Sequence, residues 1–496
     1  MVFADLLFIF LFLTMCLVLS TAMPTNRSKN VVLLVFSLVF YAWSGPWLLI
    51  LLCGMTLVCY IGARRIEAVR PQAVTDGAPA PAEGPDSSKR IMKLTLILTL
   101  VICLGTLAFF KYTSFLCGEM NRLFSWPSQI PDIILPIGIS FYTFQLISYV
   151  VDVYRGQVSA QRKYHLLLLY AGLFHQCIAG PIVRYSDVCR ELTDRTFKVS
   201  DFSRGVTRFA IGLGKKALLA NALGAVADSL VPTTGAGLSS ASAVTLFVGS
   251  LAYMLQIYLD FSAYSDMAIG MGLMSGFHYL ENFRYPYMAD SITDFWRRWH
   301  ISLSSFFRDY VYIPLGGNRK GVPRQYLNLL IVWALTGIWH GAGWNFLLWG
   351  LYFFVILCVE KRFVDLKHPP RTPIYVLRRA ATLILVFFGW ILFRYSDMSV
   401  MGTVLRGLLC LNGNPFADLT AGAAILNNLF LFPVAMAACT PLVPFLHDKL
   451  IALGRTREGL RPVLRVLSVA LPLVLILLSV LSLAGLNYNP FLYTQF

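Results

Sequence analysis

A chain of 496 residues that is 57% hydrophobic and only 13% charged has too little polar surface for a soluble globular domain, so composition excludes one. Its 41 Lys and Arg against 25 Asp and Glu give a formal charge of +16, which in a soluble protein points to nucleic acid; in a chain of membrane-length apolar runs it is read as basic loops held on the cytoplasmic side. The ten cysteines include no CxxC pair, and Cys16, Cys53, Cys59 and Cys103 sit in apolar runs as small buried hydrophobes, neither a disulfide framework nor a zinc site.

Runs of about 17 to 25 apolar residues, enough to span the hydrocarbon core, recur along the whole sequence. Residues 2–23 form the first: Asp5 precedes its apolar stretch and Arg27 and Lys29 follow it, the reverse of a cleaved signal, so a retained helix is predicted. The run Asn30 to Ala63 would measure about 51 Å as one helix, and Gly45–Pro46 breaks it into a hairpin. Residues 64–90, rich in Pro, Ala and charge, read as a flexible connector.

Runs at 91–110, 133–151 and 165–183 follow. Basic segments at 155–163 and 184–204 flank the last, which is therefore expected to dip into the membrane and return. IGLGKKA, residues 211–217, lacks both the leading Gly and the Ser/Thr of a phosphate loop, and reads as a basic turn at the membrane surface. Further spans are predicted at 241–275, 326–345, 346–359, 376–394, 423–440 and 462–485. In the first of these, Asp260 and Asp266 are the acidic residues most expected to be buried, as a polar link in a cavity wall or as a helix end near headgroups. The absence of an internal repeat argues against an inverted-repeat transporter. The expected architecture is an all-α multi-pass membrane protein with one membrane domain over 1–496: N-terminal helices to 63, the loop 64–90, a core over 91–360 and C-terminal helices over 361–496.

Chemistry concentrates in DFWRRWHISLSSFFRDYVYIPLGGNRKG, residues 294–321. On a single helix, Asp294, Arg297, Arg298, Ser302 and Arg308 share one arc and Phe295, Trp296, Trp299, Leu303 and Phe306 the other, as in a helix lying at the interface. His300 falls at the edge of the apolar arc; it either faces a functional pocket or packs within an interfacial anchor. Pro314, Gly316, Gly317 and Asn318 end the helix in a turn, with Arg319 and Lys320 placed to receive a phosphate-bearing ligand. Forty residues beyond His300, in LTGIWHGAGWNFLLWG, His340 stands in an apolar run where an ionisable group is costly and its functional reading is the default. Gly337 and Gly341 let another helix approach closely. A neutral imidazole is suited to taking a proton from a hydroxyl that attacks an activated carbonyl; no HExxH or GxSxG motif offers metal or serine chemistry instead.

RRWHISLSSFFRDYVYIPLGGNR, TGIWHGAGWNFLLWG, LPIGISFYTFQLISYVVDVYRG, IAGPIVRY and the closing NPFLYTQF resemble the membrane-bound O-acyltransferases, and among them the bacterial alginate O-acetylation branch. The resemblance implies a helical bundle with a transmembrane tunnel and re-entrant and interfacial helices, in the bacterial inner membrane. The family's invariant histidine matches His340, the expected general base, and its upstream histidine matches His300. It further implies acetyl-CoA as a donor entering from the cytoplasm, bound with Trp296, Arg297, Arg298, Asn318, Arg319 and Trp339, no permanently held cofactor or metal, and acetyl transfer to periplasmic partners that modify an exopolysaccharide. Alginate is the nearest acceptor; cellulose or another glycan needs the same step. His175 stands where relatives usually place proline, as an added pocket histidine or a packed one. A carrier or flippase, moving substrate without breaking a thioester, and a scaffold that tolerates loss of both histidines are the competing readings.

Overall fold

In the computed structural model, which describes residues 2–70, 86–124, 130, 133–177, 180–365, 372–457, 459–485 and 491–492, every regular element is helical. Six of the described helices are long and apolar enough to cross a membrane: Pro46–Val69, Asp86–Phe124, Val199–Leu230, Ala243–Ser275, Thr372–Arg394 and Leu460–Leu483. A seventh crossing results if Leu419–Asn427 and Leu431–Ala438, bent by 64°, count as one broken span. The chain is thus an all-α multi-pass membrane protein. Of the predicted connector 64–90, residues 71–85 lie outside the described residues, as do residues 489–490 and 493–496 of the closing motif and 178–179 of IAGPIVRY.

Two compact units divide the chain, one of Leu7–Arg204 with Met271–Leu280, the other of Val2–Leu6, Gly205–Gly270 and Glu281–Phe496. In the first, the predicted hairpin forms as helices Asn26–Ala42 and Pro46–Val69, with Gly45 at φ 151° between them. The expected span at 133–151 is instead the helix Ile139–Arg155, 17 residues or about 25 Å long, buried almost continuously from Ile139 to Val150. The expected dip at 165–183 opens as a nine-residue helix, Tyr164–Gly172, followed by a single 3₁₀ turn, Phe174–Gln176.

The second unit overturns one reading of the sequence. IGLGKKA is no surface turn but lies in the apolar helical stretch Val199–Leu230, with a π-helical segment at Lys215–Ala220. Its lysines mislead because their charge is met by acids on the helix Ala243–Ser275: Lys216 Nζ lies 2.7 Å from Asp260 and Lys215 Nζ 2.8 Å from Asp266. A charge neutralised across a helix pair no longer needs a loop to reach water. Both aspartates are buried, as expected, and both serve ion pairs. The helices Val322–His340 and Trp344–Phe363 replace the expected spans at 326–345 and 346–359, and neither is among the six helices both long and apolar enough to cross a membrane. They pack at backbone distance: a Cβ on Gly337 would collide with the Phe346 carbonyl oxygen and one on Gly350 with that of Trp333. Indoles from Trp296, Trp299, Trp333, Trp349 and Trp390 form the centre of this unit's core.

Candidate active site

The helix expected over 294–309 is broken at the histidine. Ile292–Arg298 ends in Trp299, His300 takes the left-handed conformation (φ 44°, ψ 56°), and a second helix starts at Ile301. A non-glycine residue in that region stores strain and persists only where its surroundings impose it. Asn282 imposes it here. Its carbonyl accepts from Ile301 N (2.9 Å), and its side-chain Oδ1 accepts from Ser302 N (3.1 Å) and Ser302 Oγ (2.9 Å), while Arg284 N donates to the Arg298 carbonyl (2.9 Å). The N-terminus of Ile292–Arg298 is held in turn by Glu360, whose two carboxylate oxygens accept from Ile292 N and Thr293 N, each at 2.7 Å. Neither clamp follows the helical period of the segment it holds, so the amphipathic pattern gives no sign of them.

His340 is the last residue of Val322–His340, where the chain turns extended through Gly341 into the next helix. The indoles of Trp339 and Trp349 and the Phe393 ring meet its imidazole edge to face, with centroids 5.0, 5.0 and 5.3 Å away. Trp339 also stands 6.0 Å from the His300 ring, so one indole touches both imidazoles. Ser302 Oγ, which donates to Asn282, lies 3.5 Å from His300 Nδ1. Burial pushes the His300 pKa down to about 3, leaving a neutral ring at physiological pH.

Both histidines open on one cavity of about 480 Å³. Trp296, Arg297, Arg308, Thr336 and Lys361 share its wall, and among the described residues no Asp or Glu lines it. The three cationic side chains are exposed whereas His300 and His340 are only 2% and 5% exposed, so the cavity leads from a basic mouth to buried imidazoles. The Trp296 indole N–H, buried in this wall, has no acceptor among the described residues and remains available as a donor.

Of the residues selected from sequence, His300, His340, Trp296 and Arg297 come together on the cavity. Trp339 lies behind it, against both imidazoles. Arg298 faces Asp294 instead (Nε to Oδ2 2.8 Å), and Asn318 and Arg319 are exposed in the turn, away from the cavity wall. That turn is held by Asn328, buried in the following helix, whose Nδ2 donates to the Gly317 carbonyl (2.9 Å), and not by Asn318. Sequence reasoning missed Lys361, Glu360 and Asn282. The first two are separated from the histidine segment by some sixty residues, and only the i, i+4 step from Leu357 to Lys361 along one helix face hinted that this helix reaches the cavity. His175 belongs elsewhere: fully buried, its Nδ1 is 3.4 Å from Tyr279 Oη and its Nε2 3.4 Å from Ser275 Oγ, with the Phe174 ring at 4.3 Å.

The sequence profile of the membrane-bound O-acyltransferase family matches residues 158–403, which contain both cavity histidines. Over the whole of both chains the sequence is 36% identical to the "Probable alginate O-acetylase AlgI" of Pseudomonas putida. It is 40% identical to the protein of the same name from Pseudomonas aeruginosa, over 81% of this chain and 73% of that one. A peptidoglycan O-acetyltransferase of Helicobacter pylori is 32% identical over 82% of this chain and 80% of its own.

Proposed function

Because the chain belongs to the membrane-bound O-acyltransferase family, we propose that its cavity transfers acetyl from acetyl-CoA, taken up at the cytoplasmic face of a bacterial inner membrane, toward a secreted alginate through periplasmic partner proteins. The enzyme is a membrane O-acetyltransferase. The observation that carries it is one cavity joining a basic mouth, where Arg297 and Lys361 stand beside an Arg308 paired with Asp309, to two buried imidazoles. Arg297 and Lys361 offer positive charge to the phosphates of a CoA donor, Arg308 being paired with Asp309, and the apolar wall beyond them accommodates the uncharged thioester arm.

The chemistry assigns roles by position. His340 takes the proton of the attacking hydroxyl; the hydroxyl oxygen forms its bond to the thioester carbonyl carbon; the carbon–sulfur bond breaks, and the departing thiolate takes the proton back from the imidazolium. Neutral His300 and the Trp296 N–H are hydrogen-bonding groups for the carbonyl oxygen, on which negative charge develops. Alginate is favoured as acceptor because several relatives at 36–40% identity carry that name, against 32% for the peptidoglycan enzyme.

The test is thioester turnover in membrane vesicles containing this protein and its periplasmic partners. With acetyl-labelled acetyl-CoA supplied outside inverted vesicles, the intact protein is expected to release CoA and pass label to the partner, and His340→Ala to do neither. Full CoA release by His340→Ala would defeat the assignment; label crossing without CoA release would support the carrier.

A further inference from the structure

Within the unit built from Leu7–Arg204 and Met271–Leu280, one buried cation has no direct ion pair among the described residues. Arg195 is 8% exposed. Its Nη1 donates to Asn30 Oδ1 (2.5 Å) and to the Glu191 carbonyl (3.3 Å), and its guanidinium carbon lies 4.7 Å from the Phe277 ring centroid. Nε–H and the Nη2 amine meet no acceptor among the described residues, and no carboxylate there stands within ion-pair distance. Glu191 turns its own carboxylate to His278, at 2.6 Å from Nδ1 and 3.0 Å from the backbone N. Burial lowers the Arg195 pKa to about 10, which still leaves the guanidinium charged at neutral pH. A buried cation of this kind is stable only against a negative partner.

Arg195 lines a cleft of about 20 Å³ together with Lys29, Asn26, Thr21 and Ser275. That volume holds one oxygen-sized group. Lys29 makes no ion pair among the described residues; its Nζ stands 5.9 Å from the Phe197 ring centroid. Apolar side chains exposed beside these polar ones continue along the same elements: Val18 and Leu19 just before Thr21, Val31 and Val35 beyond Lys29, Phe197 and Val199 after Arg195. In a membrane protein such side chains face acyl chains. The ligand must therefore pair an anionic oxygen with hydrocarbon.

We propose that Arg195 and Lys29 hold the phosphodiester of an anionic membrane phospholipid, one phosphate oxygen entering the cleft and the acyl chains lying along the exposed apolar side chains. Two cations disfavour a choline headgroup, whose own positive charge would sit beside them. Neither residue touches the histidine cavity, and the proposal stands whatever reaction that cavity performs.

The experiment uses the full chain, purified in detergent and stripped of lipid, with dioctanoyl-phosphatidylglycerol, dioctanoyl-phosphatidylcholine or inorganic phosphate added. Mass spectrometry reads the retained lipid and a thermal scan the unfolding midpoint. Phosphatidylglycerol is expected to raise the midpoint by about 3 °C, phosphatidylcholine by less than half of that, and inorganic phosphate not at all. Lys29→Gln, a half-buried position that leaves the Arg195 contacts in place, is expected to halve the shift; Arg195→Gln should abolish it and Arg195→Lys restore most of it. Should Arg195→Gln not fold, Lys29→Gln decides. An equal shift in wild type and Lys29→Gln, equal shifts with the two lipids, or a shift produced by inorganic phosphate alone would overturn the proposal.

Discussion

His175 and His340 are both buried histidines in an apolar chain, yet their surroundings differ. His175 is enclosed by Phe174, Tyr279 and Ser275, with a polar group near each ring nitrogen and no part in the cavity. His340 is enclosed on three sides by aromatic rings but forms part of the wall of a cavity with a basic mouth. Burial of an ionisable side chain is thus a poor marker of chemistry on its own; access for a reactant separates the two positions.

That contrast breaks first at His340. His340→Ala should lower acetyl transfer by about 10³-fold, the scale of a lost general base, with little change in the thermal midpoint; a fall of less than tenfold in CoA release would put His340 in the same class as His175. Next comes the clamp on His300. Asn282→Ala removes the acceptor of two hydrogen bonds and frees the left-handed residue they impose, so turnover should fall about tenfold, in kcat more than in KM, as steady-state rates at varied donor will show. The basic mouth is weaker still: Arg297→Gln with Lys361→Gln should raise the donor KM about fivefold at low salt and leave kcat nearly unchanged, because exposed cations contribute modest, screened attraction.

His175 should give the smallest effect on rate. His175→Phe is expected to keep transfer within about twofold of wild type, while altering stability in acid. Burial, with the nearby charge of Arg195 adding to it, lowers the His175 pKa from 6.5 to about 3, so the unfolded chain takes up its proton first. The stability this neutral ring contributes is complete above pH 6.5 and is lost as pH falls from there toward 3. Thermal scans between pH 7 and 5 should show a shallower decline in His175→Phe than in wild type.

Much of this is legible in the sequence. The break at Gly45–Pro46 and the span at 243–275 appear where composition and punctuation put them, since apolar length and helix breakers are local properties. His340 stood out for another reason, as an ionisable residue amid hydrocarbon, while His300, Trp296 and Arg297 were drawn from the amphipathic segment that begins at Asp294 and from the family resemblance. Arg298 pairs with Asp294 one turn before it, as their i, i+4 spacing allows, whereas Lys215 and Lys216 were misjudged because their partners lie some fifty residues away on another helix.

Sequence alone determined the class of the molecule and where its reactive side chains stand along the chain, because hydrophobic length, charge and residue type act locally. Tertiary structure alone decided which of them meet: it broke the predicted helix at His300 through Asn282, tied that helix's start to Glu360, joined two histidines forty residues apart in one cavity, and enclosed His175. Those outcomes depend on hydrogen bonds and packing between distant segments, which no local pattern encodes.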